Sequence, residues 1–235
     1  MKTNTFSAWL QQALQLAFKA PLLWAGCCVF IGAVLVIGHV SFALGIFTAV
    51  TCLLSAVGIA KYIDMQGSVG FFWAIGKSLP LAILAATTIV FCWFVFMAGA
   101  NILNGEPEKI GRFFFNWELT TENLNTKSAR ELANWLYSYA NIALIFVLLM
   151  LNTFASWFSF QLMLFKGYSW SRAKAQSDSV VAVNKSAIYK LLGFIFLEAV
   201  LCSSVTPWLS PVLFMLTSTL MFVSYKNLFE KTSST

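Results

Sequence analysis

Residues 21–60, PLLWAGCCVFIGAVLVIGHVSFALGIFTAVTCLLSAVGIA, hold no Asp, Glu, Lys or Arg over forty positions. As one helical rod, at a rise of 1.5 Å per residue, that stretch would reach about 60 Å, twice the roughly 30 Å hydrocarbon core of a bilayer. The chain must turn back on itself, and Gly38-His39-Val40-Ser41 supplies the break. The result is a membrane hairpin, 21–38 and 42–60.

The pattern repeats along the chain. Residues 78–105 and 132–165 carry no formal charge, and 191–225 carry only Glu198. These stretches accommodate four more crossings of about twenty residues each, near 79–100, 138–162, 189–206 and 209–225. Thr206-Pro207-Trp208-Leu209-Ser210-Pro211 makes the last turn. Hydrophobic residues are 59% of the chain and charged ones 10%, against roughly 25% charged in an ordinary soluble domain. A soluble globular protein is excluded. The expected fold is an all-α integral membrane protein, one membrane domain over 1–235 with six transmembrane helices.

Charge placement sets the expected orientation. Eleven basic residues (Lys2, Lys19, Lys61, Lys77, Lys166, Arg172, Lys174, Lys185, Lys190, Lys226 and Lys231) fall on one side of this scheme. The other four, Lys109, Arg112, Lys127 and Arg130, share the 101–137 loop with Glu106, Glu108, Glu118, Glu122 and Glu131. The positive-inside rule then puts both termini in the cytoplasm and that loop outside. The net charge of +6 belongs to topology, and no nucleic-acid partner is expected.

Two further segments read as interfacial helices. Over 5–19, Phe6, Trp9, Leu10, Ala13, Leu14 and Ala17 repeat at i, i+3, i+4, i+7 spacing with Gln11, Gln12 and Lys19 elsewhere, the pattern of a helix lying in the membrane surface. Over 166–188, Ala173, Ser177, Val180, Val181, Asn184 and Ile188 share a stripe, with Arg172, Lys174, Asp178 and Lys185 off it. That segment suits a helix on anionic headgroups or a dedicated lipid or partner site.

The outer loop is too short and too poor in aliphatics to bury a core of its own. Ser128 and Glu131 have capping-box spacing ahead of the fourth span. Phe113, Phe114, Phe115 and Trp117 cluster beside acids, either as an aromatic belt at the membrane surface or as a partner-docking patch.

Glu198 is the one formal charge inside an expected span. A carboxylate at that depth costs about 2.5–3.5 kcal/mol on insertion scales, so it must be protonated, paired or facing a wet cavity. It serves either as a hydrogen-bonding group to a neighbouring helix or subunit, or as an ion or proton site. Asn141, Asn152 and Gln161 in the fourth span lie eleven and nine residues apart, close to one face of a helix. Interhelical hydrogen bonds or a polar pathway would both use them.

Chemistry is otherwise sparse. Cys27, Cys28, Cys52, Cys92 and Cys202 lie inside apolar segments with no CxxC spacing, and His39 is the single histidine. No haem held by two histidines, metal cluster, nucleophile triad, paired carboxylates or phosphate-cradling loop is spelled out, so no cofactor, metal or catalytic residue is assigned.

Trp9, Ala13, Phe18, Pro21 and Trp24, then Trp157-Phe158, then Gly167, Ala173, Ser177 and Asn184, and finally Pro211, Tyr225 and Phe229 resemble an uncharacterised family of six-helix proteobacterial inner-membrane proteins. The resemblance implies a bacterial inner-membrane location and the six-helix fold, and brings no activity with it. The aromatic and acidic 101–137 loop departs from the compact pattern of that family. The leading functional expectation is a non-catalytic accessory or assembly subunit of a larger membrane complex, respiratory or envelope-spanning, with membrane lipids and other subunits as partners. The alternative is a transporter of small solutes or lipids working through Glu198 and the fourth-span amides.

Overall fold

The computed structural model describes residues 5–65, 70–115 and 119–230, apart from the side chain of Trp73. Among the described residues there are ten α-helices and no strand: α1 (Phe6–Lys19), α2 (Pro21–Ile37), α3 (Phe42–Asp64), α4 (Phe71–Leu103), α5 (Thr121–Asn125), α6 (Ala129–Met150), α7 (Ser159–Lys166), α8 (Trp170–Val183), α9 (Lys185–Ser204) and α10 (Ser210–Tyr225). Six helical stretches within these residues are long and apolar enough to cross a membrane. The chain is a multi-pass, all-α membrane protein.

The first hairpin turns where the sequence breaks. Pro21 opens α2 at a position that wants its fixed φ and needs no N–H. A single 3₁₀ turn over Gly38–Val40 follows. Ser41 then caps α3, its Oγ accepting the Leu44 N–H at 3.0 Å. Gly38 is required for this closure, because a Cβ there would stand 2.4 Å from Thr48 Oγ1 and 3.0 Å from the Gly45 Cα.

Helices α3 and α10 form the centre. In α10 every residue is buried except Val212 and Leu216, and it packs on α1, α2, α3 and α9. Its hydroxyls serve as ties: Ser218 donates to the Leu53 carbonyl of α3 at 2.6 Å, and Thr219 accepts from Trp24 Nε1 at 3.5 Å. Ser224 accepts from Trp157 Nε1 at 3.4 Å. At one end Asp64 receives both Lys226, at 2.5 Å, and Lys19, at 3.7 Å. That pair of contacts puts α1 and the C-terminal end of α10 at the same end of the bundle, called the basic end below.

The expected helix over 5–19 forms as α1, and its face at Trp9, Ala13 and Leu16 is buried. That face meets protein: α1 packs on α10, α3 and α9. Phe6 stands 5.3 Å from Phe194 between ring centres, and Gln12 Oε1 accepts from Asn227 Nδ2 at 2.7 Å.

Helix α4 is 33 residues long, beginning eight residues before the expected span and passing Pro80 without ending. At 1.5 Å per residue it reaches about 50 Å. It lies along α3, with Ala82 and Ala86 fully buried. The two helices come close at Gly58, where a Cβ would stand 2.8 Å from Ser78 Oγ.

The fourth span departs from expectation. The Ser128–Glu131 capping box is present, the Ser128 N–H donating to Glu131 Oε2 at 2.8 Å and the Glu131 N–H to Ser128 Oγ at 3.4 Å. From there α6 runs to Met150 and loosens into a π-helical turn over Leu151–Ala155. It stops at Ser156, whose φ is +66°. A new helix, α7, starts at Ser159, so 138–162 is two helices rather than one. The freed backbone is satisfied from a distance: the Phe158 N–H donates to Ser177 Oγ of α8 at 2.9 Å, and that oxygen lies 2.7 Å from Ser156 Oγ. Broken backbone at membrane depth is tolerated only where such partners exist.

The 166–188 stripe is likewise divided. Gly167, at φ +65°, ends α7; α8 stops at Val183; Ile188 belongs to α9. On α8 only Ala173 and Ser177 are buried.

Candidate functional site

The polar residues expected inside the membrane do not converge. The break at Ser156 takes Gln161 off the helix that carries Asn141, so the shared face requiring one continuous helix is not formed. Asn141 on α6 and Gln161 on α7 are both buried, and neither amide has a hydrogen-bond partner among the described residues. Asn152, in the π-helical turn, is exposed. Glu198 sits half-buried on α9. His39 is buried in the hairpin turn, edge-on to Trp135 at 3.9 Å and stacked on Tyr139 at 5.2 Å between ring centres.

The loop aromatics separate into two roles. Phe113 closes a 3₁₀ turn over Pro107–Phe113 and is buried, 5.5 Å from Phe42 and 5.4 Å from Phe94 between ring centres. The loop therefore leans on the ends of α3 and α4. Phe114 and Phe115 stay 56% and 49% exposed, and Trp117 lies outside the described residues. Phe113 also lines a cavity of about 250 Å³ reached by Lys109 and Arg112, with Phe42, Phe94 and Tyr139 in its wall.

A larger cavity lies elsewhere, between α4 and the α6–α7 break. It measures about 500 Å³ and is bounded by Leu54 of α3, Leu84 and Thr88 of α4, Met150 of α6, Phe160 of α7 and Trp170 of α8. Thr88 spends its hydroxyl on the Leu84 carbonyl at 2.9 Å, so its polar atom is already engaged. Leu84 and Phe154 are 62% and 63% exposed, and the cavity opens at the bundle surface beside them.

Toward the basic end three of these helices, α3, α4 and α7, enclose a smaller pocket of about 30 Å³ lined by Gly58, Lys61, Lys77, Leu164 and Phe165 among others. Lys61 Nζ rests 4.3 Å above the Phe165 ring. The two cavities share one strip of α4, because Lys77, Leu81, Leu84 and Thr88 follow at i, i+4, i+7 and i+11. This juxtaposition was not read from the sequence, which treats Lys61 and Lys77 as orientation signals. The strip of α4 was visible there; the cavity wall was not, since it is made by the break at Ser156.

Behind the break, Ser156, Ser177 and Asp178 form a small polar knot. Burial pushes the Asp178 carboxyl up, but hydrogen bonds from Lys174 and Ser156 and the Lys174 charge outweigh it and hold the group below its ordinary range. The Lys174 contact is 3.0 Å. The knot fixes the α7–α8 corner and hence the wall of the large cavity. Among the described residues no three His, Cys, Asp or Glu side chains group as metal ligands would.

Comparisons with protein-family models, with known proteins and with solved structures find no match to this chain.

Proposed function

We propose that this protein is a non-catalytic integral subunit of a larger membrane complex, docking through its loop end. The observation that carries the reading is the anchoring of Phe113. Ordering a loop costs roughly 1–2 kcal/mol per residue in backbone entropy, and Phe113 offsets part of that by burial between Phe42 and Phe94. The neighbouring Phe114, whose ring lies 5.1 Å from Phe94 between centres, and Phe115 then present apolar surface held in place by the bundle. Contiguous exposed aromatics of this kind mark partner sites.

The surroundings are those of a bacterial inner membrane with both termini cytoplasmic, supported by the eleven basic residues assigned to the side of the termini and by the resemblance already described. In that frame α1 and α8 sit at the cytoplasmic interface, where Lys19, Arg172 and Lys174 meet anionic headgroups.

Co-purification from mild detergent tests the reading. Changing Phe114, Phe115 and Trp117 to Ser, with Phe113 kept, should leave insertion intact and release the partner. Purification of the unaltered protein alone, as a stable monomer, would overturn it.

The 500 Å³ cavity favours a second reading, lipid handling, in which the opening between α4 and α7 admits an acyl chain. Glu198 plays no part in that version, because it does not line the cavity.

A further inference from the structure

We propose that the cavity beside the Pro107–Phe113 turn binds a small aromatic monocarboxylate, its carboxylate on the Arg112 guanidinium and its ring among Phe42, Phe94 and Phe113. The assignment goes beyond the subunit reading and does not depend on it.

The first support is that the site is built, and built locally. Helix α4 ends in the two hydrogen bonds of a Schellman cap, the Glu106 N–H donating to the Asn101 carbonyl at 2.8 Å and the Gly105 N–H to the Ile102 carbonyl at 3.1 Å. Gly105, at φ +73°, takes the left-handed conformation that such a cap requires. The chain is thereby turned back, and the 3₁₀ turn that follows packs on α4 and α3. Phe94, Met97, Ala98 and Asn101, at i, i+3, i+4 and i+7 of α4, form one wall of the cavity. The turn adds Lys109, Arg112 and Phe113. Side chains three apart eclipse in a 3₁₀ helix, so Lys109 and Arg112 reach the same cavity.

The second support is charge. Lys109 and Arg112 are the charged groups among the described residues that line the cavity. Lys109 Nζ is held by Glu106 Oε1 at 2.5 Å. Arg112 makes no ion pair among the described residues, and Glu108, the other acid of the turn, does not line the cavity. One guanidinium is therefore left over, a planar fork that pairs with a carboxylate through two parallel hydrogen bonds.

The third support is the size and character of the walls. A volume of about 250 Å³ lies below the roughly 300–1,000 Å³ of ordinary ligand sites, which admits a single ring with its substituents. Phe113 is inclined to Phe42 by 60° and to Phe94 by 54°. The walls thus offer ring faces and ring edges together, the contacts an entering aromatic ring prefers. The Met97 thioether favours the same kind of occupant.

The test is ligand-observed NMR on the full chain in detergent, with benzoate as the probe and benzamide and cyclohexanecarboxylate as comparators. Benzoate should bind more tightly than either. Arg112→Gln should weaken benzoate about tenfold or more, the worth of a charge-assisted hydrogen bond, and bring it level with benzamide. Ala98→Phe, which fills the cavity and keeps Arg112, should also weaken benzoate, while Arg172→Gln on α8 should change nothing. Benzoate held no better than benzamide by the unaltered protein would overturn the proposal, as would binding that survives Arg112→Gln, the behaviour of a probe dissolved in detergent. Cyclohexanecarboxylate bound as well as benzoate would overturn the aromatic assignment, and benzoate binding undiminished by Ala98→Phe would overturn its placement in the cavity. Both variants leave Phe114 and Phe115 in place, so loss of the ligand and loss of a partner are read separately.

Discussion

Helices α4 and α10 are the two extremes of the bundle, and they are ordered the opposite way from a soluble protein. The span within α4 has the highest mean hydropathy of the six, yet only 11% of its most apolar window is buried inside the protein; the span containing α10 has the lowest, and 78% of its window is buried. In water, burial and apolarity rise together because the core is the only escape from solvent. In a bilayer the surroundings are themselves apolar, so there is no hydrophobic force holding helices to one another. A helix facing lipid must then be apolar over its outer surface, as α4 is at Phe91, Val95 and Phe96, with the exposed Thr87 and Thr88 hydroxyls turned back onto carbonyls of their own helix. A helix facing protein can carry Ser218, Thr219 and Ser224 inside, where small residues let backbones approach and these hydroxyls find carbonyls.

The sharpest way to break this comparison is to remove one large ring from each helix. Phe214 of α10 is fully buried and Phe91 of α4 is 65% exposed. Phe214→Ala should cost about 3–5 kcal/mol of unfolding free energy in bicelles, through the cavity it leaves. Phe91→Ala should cost less than about 0.5 kcal/mol, the ordinary range for a surface position. Equal losses would mean that α4 is packed on another chain or a second copy even in the purified protein.

How much of this contrast was legible follows from where its causes lie. The spans, the hairpin turns at Gly38 and Pro207 and the Ser128–Glu131 cap were readable because each depends on a few neighbouring residues. The break at Ser156 was not: the stretch around it has neither Pro nor Gly, and its positive φ is held by Ser177, twenty-one residues away. The shared face of Asn141, Asn152 and Gln161 failed with it, since a helical wheel assumes the helix it is drawn on. Phe113 and Phe114 are adjacent and chemically identical; both rings lie beside Phe94, at 5.4 and 5.1 Å between ring centres, and it is the buried Phe113 that also meets Phe42. The large cavity stayed hidden for the same reason, its wall being a tertiary product of an unmarked break.

A second perturbation sharpens the comparison at the contact of α3 with α4. A Cβ at Gly58 would meet Ser78 Oγ at 2.8 Å, Ser78 Cβ at 3.0 Å and the Ala74 carbonyl at 3.2 Å. The Ser78 hydroxyl is itself engaged with the Ala74 and Ile75 carbonyls, each at 3.1 Å, and two of the three obstacles are not flexible ends. Gly58→Val therefore pushes α4 away, with an expected cost of about 1–3 kcal/mol for overpacking. Hydrogen exchange should quicken in α4 between Ser78 and Ile89 and stay slow in α10. Equal quickening in both would show that α4 is integral to the hub.

The smallest expected effect concerns the hydroxyls that make α10 the least apolar span. Ser218 Oγ lies 2.6 Å from the Leu53 carbonyl of α3 and 2.9 Å from the Phe214 carbonyl of its own helix. A single hydroxyl hydrogen cannot serve both fully, and the second acceptor is already the partner of a helical N–H. The net contribution is accordingly that of an interhelical hydrogen bond in a membrane, about 0.6 kcal/mol on average and up to about 1.7. Ser218→Ala should lower the unfolding free energy by that amount, while Thr88→Ala in α4, whose hydroxyl bonds only to Leu84 within its own helix, should be near neutral. The difference between these two small numbers isolates the interhelical part, because both variants lose an intrahelical hydroxyl bond and only one loses a tie to a neighbouring helix. A Thr88→Ala cost as large as that of Ser218→Ala would mean the hydroxyls of α10 serve their own helix, and that small size alone explains why serine and threonine collect at the centre of this bundle.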